Sequence, residues 1–247
     1  MNERQKRIYE IIVKLGTAKN ELLGREVFAS SATIRRDLKK MESMGLITRV
    51  WGGATLSNKA DIDPPFFVRE SANTETKRKL ARKALSFISE GDTVFLPSGS
   101  TVTELSKVLD RFQGLNIITN CVSIINVLKG YSSFNVLVPG GTLHEHYDLV
   151  GSMTTSFINQ LSADVFFFSC SGLTADGITS NDLSRLEVLD AMYKNSNKKI
   201  LLCDSSKVGK KYTYKGFSLD KIDYVIMDEK PKDEELIKAL GKKLIIA

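Results

Sequence analysis

The sequence predicts an α/β chain made of two folds in series. These are an N-terminal winged helix-turn-helix and a C-terminal doubly wound, mostly parallel α/β domain. Three observations carry that prediction. Residues 1–57 hold 11 Lys and Arg against 6 Asp and Glu, a net of +5, whereas residues 58–247 hold 24 against 23, so nearly all of the +6 lies in the first quarter of the chain. In that quarter the apolar residues recur at helical spacing and then break into two short runs around a Gly-Gly pair. From residue 74 onward, short runs rich in Val, Ile and Phe alternate with helical stretches, as buried parallel strands joined by crossover helices do.

The elements follow in order. Ile8, Ile11, Ile12 and Leu15 stand at i, i+3, i+4, i+7 and give a first helix one buried face, which Gly16 ends. A shorter second helix is expected over residues 20–28, with Leu22, Leu23, Val27 and Phe28 available for burial. Ser30 reads as the N-cap of a third helix whose Ile34, Leu38 and Met41 face inward, leaving Ser31, Thr33, Arg35, Arg36, Lys39 and Lys40 outward until Gly45 stops it. Residues 47–51 and 54–56 then read as a hairpin about Gly52-Gly53. Residues 58–73, polar and carrying Pro64-Pro65, form the linker between a domain at 1–57 and one at 74–247.

In the second domain helices are expected at 75–88, 102–109, 122–128, 154–161, 183–195 and 233–240. Strands are expected at 93–96, 115–119, 134–138, 165–169, 200–203, 224–227 and 244–246. Strand and helix alternate throughout, as a doubly wound sheet requires.

Composition narrows the function. With 42% hydrophobic and 26% charged residues the chain is globular. No apolar run approaches the ~18 residues that span a bilayer, and the charged start MNERQKRIYE is unlike a signal peptide, so the expected location is the cytoplasm, away from any membrane. Cys121, Cys170 and Cys203 are far apart and form no C-x-x-C pair, which argues against structural disulfides and zinc. Cys170 and Cys203 end apolar strands and read as packing residues. His144-Glu145-His146 with Asp148 is a weak metal candidate, because it reads as loop, where His at i, i+2 share no face. Asp176 and Asp182 read as loop and capping residues, and neither a metal nor another cofactor is expected.

A small basic module on a neutral body points to a polyanion partner, double-stranded DNA. The major groove admits an α-helix, and the first turn of such a helix meets base edges and phosphates. Ser30, Ser31 and Thr33 suit that close approach, Arg35 and Arg36 can fork onto guanine or clamp phosphates, and Lys39 and Lys40 are placed for phosphates. Arg49 on the wing can reach the backbone or an adjacent minor groove. Trp51 either lies against the sugar-phosphate backbone or covers the wing, and Asp37 reads as an internal partner of a neighbouring Arg.

Ser30-x-x-Thr33-Ile34-Arg35-Arg36-Asp37-Leu38, Glu42-x-x-Gly45-Leu46-Ile47 and Arg49-Val50-x-Gly52-Gly53-Ala54 together resemble the N-terminal signature of the DeoR (deoxyribose-repressor) family of bacterial regulators. Asn20, Leu22, Ala29 and Trp51 stand where that family usually has Val, Glu, Val and His. The likeness runs to the C-terminus through Phe66-x-x-Arg69-x-x-x-Asn73, Lys77, Gly91-Asp92, Ser98-Gly99-Ser100-Thr101, Thr119-Asn120, Gly140-Gly141, Gly151 and Asp204-Ser205-Ser206-Lys207. The resemblance implies a transcriptional repressor of a sugar or carbohydrate catabolic operon. It further implies a dimer or tetramer, and a sensor domain with the fold of ribose-phosphate isomerase that answers to a phosphorylated sugar or related metabolite.

The residues support such an effector independently. Ser98, Gly99, Ser100 and Thr101 follow a strand and open a helix, so their N–H groups and hydroxyls can hold a phosphate. Asn120, Gly140, Gly141 and Ser171-Gly172 follow later strands and should gather at the same carboxyl edge, with Lys77 and Lys207 adding charge. Against this, Pro97 stands where most family members have Asp, and Leu189 and Asp190 replace Lys and Arg. An acidic residue there would repel a phosphate if it faced the pocket. Two further readings therefore stand beside the sensing repressor. One is a DNA-binding regulator with a vestigial sensor; the other is a sugar-phosphate isomerase, for which Pro97 removes the expected carboxylate base.

Overall fold

The computed structural model describes residues 2–56, 66–145 and 147–247. The expected Pro64-Pro65 linker and His146 lie outside them. The chain divides into two compact units, Met1–Arg69 and Glu70–Ala247.

The first unit opens with α1 (Glu3–Leu15), capped by Asn2, whose side chain accepts from the Gln5 amide while the Gln5 side chain accepts from the Asn2 amide. Ile8 and Ile12 are fully buried, but Leu15 at the helix end is half exposed. β1 (Thr17–Lys19) follows, a strand absent from the sequence expectation, and then come α2 (Asn20–Glu26) and α3 (Ser31–Ser43). β2 (Ile47–Val50) and β3 (Gly53–Leu56) form the predicted hairpin, and β1 pairs antiparallel with β3 to make a three-stranded wing in the order β1-β3-β2. The core gathers Ile8, Ile12, Leu23, Ile34, Leu38 and Met41. Of the four residues expected to be buried from α2, Leu23 is buried and Val27 half-buried, while Leu22 is exposed and Phe28 is 97% exposed. The helix ends before residue 28, so its periodicity no longer aims that side chain inward. α4 (Phe66–Ser71) carries the division between the units.

The second unit begins with α5 (Thr74–Ala84), β4 (Thr93–Phe95), α6 (Ser100–Ser106), β5 (Asn116–Ile118), α7 (Val122–Leu128) and β6 (Asn135–Leu137). A hairpin of β7 (Thr142–His144) and β8 (Asp148–Val150) comes next, then α8 (Ser152–Ile158), β9 (Ala163–Phe168), β10 (Gly172–Thr174), β11 (Gly177–Ser180) and α9 (Leu183–Lys194). β12 (Ser196–Cys203), β13 (Tyr214–Lys215), β14 (Tyr224–Met227), α10 (Glu234–Leu240) and β15 (Leu244–Ile246) complete it. All seven predicted strands join one parallel sheet in the order β15-β14-β12-β9-β4-β5-β6. The chain moves outward from β4 to β6 and then restarts at β9 on the other side of β4. That reversal sends the crossover helices to opposite faces and creates a switch point between β4 and β9.

The sheet's centre is a run of phenylalanines. Phe95, Phe166, Phe167 and Phe168 are fully buried, with Phe166 stacked on Phe168 at 4.7 Å between centroids and Phe168 edge-on to Phe217 at 5.6 Å. Each such pair contributes about 0.5–1.5 kcal/mol beyond the burial of its area. Two additions escape the strand-helix alternation: the β7-β8 hairpin, and a small antiparallel sheet in the order β10-β11-β13. Their strands of two to four residues are too short to show a period.

Candidate nucleic-acid interface and effector site

The geometry of α3 follows from its cap and its buried acid. Ser30 Oγ accepts the Thr33 amide at 3.3 Å and lies 3.0 Å from Thr33 Oγ1, so both hydroxyls first hold the start of the helix. Asp37, 4% exposed, accepts from Arg4 Nε at 2.7 Å and from Gln5 Nε2 at 2.8 Å. It is an internal partner as expected, but its Arg comes from α1, 33 residues away. The bond locks α3 against α1 with Ser31, Arg35, Arg36, Lys39 and Lys40 on the exposed face and Thr33 half-buried at its edge. Arg49, nominated for DNA, is also bound within the unit: its Nε and backbone amide both donate to the Glu42 carboxylate, at 2.7 and 3.0 Å. These two bonds hold the Glu42 carboxyl below its ordinary range. Trp51 at the wing tip is fully exposed, so it does not cover the wing.

In the second unit the loops after β4, β5, β9 and β12 are brought together about the switch point. The Ser98 amide donates to Asn120 Oδ1 at 3.2 Å, joining the loops after β4 and β5. Lys207 Nζ donates to Ser169 Oγ at 2.8 Å, joining those after β12 and β9. A Cβ on Gly99 would stand 3.8 Å from the Cβ of Ser169, which closes the set. Thr101 is wholly buried, and its hydroxyl meets no hydrogen-bond partner among the described residues. Lys77 is buried too, with Nζ donating to the Ala72 carbonyl at 2.5 Å. Burial raises the Asp204 carboxyl, but Lys207, the Ser206 hydroxyl and Lys77 outweigh it and leave the pKa below its ordinary value. Lys207 Nζ stands 3.5 Å from Asp204 Oδ2 and is the larger cationic influence on that carboxylate.

Other nominated residues have different work. Gly140 and Gly141 follow β6, the edge strand, two places from β4. Thr154 Oγ1 donates to the Gly140 carbonyl at 2.8 Å, and a Cβ on Gly141 would stand 2.2 Å from that hydroxyl. The pair seats the start of α8. Gly172 is required by the Lys210 carbonyl, 2.2 Å from where its Cβ would be. Leu189 packs in the core, and Asp190 pairs with Lys194 at 2.5 Å on the surface of α9. The feared repulsion between Asp190 and an anion at the switch point is therefore not built into the fold.

Sequence reasoning missed the cation that α9 does supply. Arg185 Nε meets Asp148 Oδ2 at 2.8 Å, and its outer nitrogen donates to Glu145 at 2.7 Å and to the Tyr147 hydroxyl at 2.6 Å. Asp182 caps α9 through the Arg185 amide, as its capping reading requires. His144 Nδ1 lies 3.4 Å from Asp148 and 3.6 Å from Asp182. Among the described residues no group of three His, Cys, Asp or Glu side chains could hold a metal. Cys170 and Cys203 sit with sulfurs 3.8 Å apart, and the Cys170 contact together with burial raises the Cys203 thiol well above its ordinary range. An open cleft of about 710 Å³ lies at the opposite, amino edge of the sheet. There Asp92, Asp164 and Asp223 accept the backbone amides of Ser89, Thr93 and Lys199, which is strand-end capping.

The two units match two family models in turn. Residues 4–60 match the DeoR-like helix-turn-helix domain, and residues 72–229 match the DeoR C terminal sensor domain. The chain belongs to the DeoR family. It is a DNA-binding transcriptional regulator. It is 31% identical to an uncharacterized HTH-type transcriptional regulator of Haemophilus influenzae, over 92% of this chain and 89% of that protein. Identity to the glycerol-3-phosphate regulon repressor of Escherichia coli is 30%, covering 93% of this chain and 91% of the relative. The lactose phosphotransferase system repressor of Staphylococcus aureus is 31% identical over 97% of this chain and 96% of its own length. Among solved structures, a D-ribose-5-phosphate isomerase in complex with phospho-erythronic acid aligns with 54% of this chain and 53% of its own, at 15% identity and a TM-score of 0.42. No described helix is long and apolar enough to cross a membrane.

Proposed function

We propose that this regulator represses a sugar or carbohydrate catabolic operon, that α3 reads its operator, and that a phosphorylated sugar or related anionic metabolite at the switch point relieves repression. The observation that carries the effector half is the gathering of the 98–101 turn, Asn120, Ser169 and Lys207 at the switch point, with the buried Thr101 hydroxyl lacking a hydrogen-bond partner among the described residues. The repressors of glycerol-3-phosphate and lactose phosphotransferase functions among the relatives support the same chemistry. The protein works as a dimer or tetramer, because paired half-sites demand paired recognition helices. It is a regulator and not an isomerase: Pro97 occupies the place of the expected base. Turnover of ribose-5-phosphate by pure protein would overturn that assignment.

A thermal-shift screen of phosphorylated sugars tests the effector. At a hundred-fold excess over Kd, one member should raise the melting temperature by about 5–10 °C and release bound promoter DNA. Lys207→Met should abolish both responses. No shift with any member would leave the vestigial-sensor reading in its place.

Arg35→Ala tests the reading helix. If Arg35 forks onto a guanine, its loss should cost about 1–3 kcal/mol at the operator and relax sequence preference at one position of each half-site. An equal loss on every duplex would make Arg35 a phosphate contact instead.

A further inference from the structure

We propose that Phe28 is a specificity residue of this regulator, making an apolar contact with a thymine methyl at the rim of the major groove. The inference rests on the DNA-binding reading of α3 and goes beyond it. Phe28 stands in the turn between α2 and α3, two residues before the Ser30 cap. Its φ is 51°, in the left-handed region, which a bulky L side chain occupies at an energetic cost that Gly avoids and Asn lessens. Its side chain is 97% exposed. The fold thus carries both a strained backbone and a hydrated phenyl ring at a position where a small polar residue would serve the turn better. Strain that the fold does not need is the kind held at functional sites.

The location says what the ring would meet. The turn is pinned by the Ala29 amide donating to the Gly24 carbonyl at 3.0 Å and by the Ser30 cap, so the ring cannot swing away with a loose loop. Across two peptide units its Cα lies within about 7–8 Å of that of Ser30. When the first turn of α3 meets base edges, the ring lies at the groove's rim. The apolar feature displayed in that groove is the thymine 5-methyl. Trp51, the other fully exposed aromatic, sits on the wing tip, and no other described large apolar side chain exceeds 69% exposure. The two most exposed apolar side chains therefore occupy the two loops that flank a recognition helix in winged helix-turn-helix proteins.

The test uses the full-length protein and a duplex it selects from a random pool. Each thymine of that duplex is then replaced singly by deoxyuridine, which deletes only the methyl group. The wild type should lose about four-fold in affinity, the worth of one buried methyl, at one position per half-site. Phe28→Asn should bind the unmodified duplex at least about four-fold more weakly, lose its response to uracil at that position, and melt a few degrees higher as the turn relaxes. Unchanged affinity, an unchanged uracil profile, or a lowered melting temperature would each overturn the proposal. A changed oligomeric state with the wild-type uracil profile would also overturn it, by assigning the ring to a protein contact. A wild type that selects no sequence at all would defeat the DNA-binding reading itself, a failure distinct from the others.

Discussion

Raising salt from about 50 to 200 mM should weaken binding to a promoter duplex by three to five orders of magnitude. The exposed face of α3 presents Arg35, Arg36, Lys39 and Lys40. Arg4 and Arg49 each carry an ion pair within the unit, to Asp37 and Glu42, so they are left out of the count. Four cations per protomer make about eight in a dimer, and each phosphate neutralised contributes about −0.9 to the slope of log K against log[salt]. The expected slope therefore lies between about −5 and −9. Removing two of the four, with Arg36→Gln and Lys39→Gln, should lessen it by about 4 units per dimer. Fluorescence anisotropy across a salt series measures both values. A flat response from the wild type would mean that α3 does not lie along the phosphate backbone.

The same residues show what the sequence could and could not reveal. Ile34, Leu38 and Met41 stand at helical spacing, and the cap at Ser30 is local, so α3 and its outward face were legible. The seven parallel strands were legible because each is a short apolar run, and a fully buried strand has no polar face to confuse the pattern. The partners of charged residues were not. Asp37 finds Arg4 across 33 positions, and Asp148 finds Arg185 across 37, separations that no periodicity encodes. Phe28 and Asp190 were settled by their surroundings, since repulsion by Asp190 was expected only if it faced the pocket. Residue type suggested burial for the first and pocket repulsion for the second, but a helix that ends before Phe28 and an i,i+4 partner for Asp190 decided both. The glycine turns were placed at the correct edge. Gly141 and Gly172 also let Thr154 and the Lys210 carbonyl approach closely, a requirement that only three-dimensional neighbours reveal.

Asp148→Ala should lower the stability of the second unit by about 3–5 kcal/mol, the largest single loss expected there. Asp148 is fully buried and the Arg185 side chain is only 15% exposed, so removing the acid takes away the buried partner of Arg185 Nε and leaves the guanidinium to the more exposed Glu145 and to Asp182. In the wild type burial works against the Arg185 charge while Asp148, Tyr147 and Glu145 together raise its pKa above the ordinary value; in the variant deprotonation still offers no escape, because an arginine keeps its proton in a protein. Replacing both residues, with Asp148→Leu and Arg185→Met, should cost much less than the two single changes added together. The pH dependence has a defined sign. Burial raises the Glu145 carboxyl, while Tyr147 and Arg185 more than compensate and leave its pKa depressed. Its contribution is therefore present above the unfolded carboxylate pKa and is lost as pH falls through the lower folded value. The loss should reach the effector site as well. Asp148 anchors a hairpin whose Leu149 exchanges hydrogen bonds with Asn120, at 2.8 and 2.9 Å, and Asn120 in turn holds the Ser98 amide. Chemical denaturation followed by circular dichroism reads both units, and the fluorescence of Trp51, the chain's one tryptophan, marks the transition of the first so that the second can be told apart. A variant within about 1 kcal/mol of wild type would show that water reaches the pair in solution, because exposed ion pairs carry no more than that.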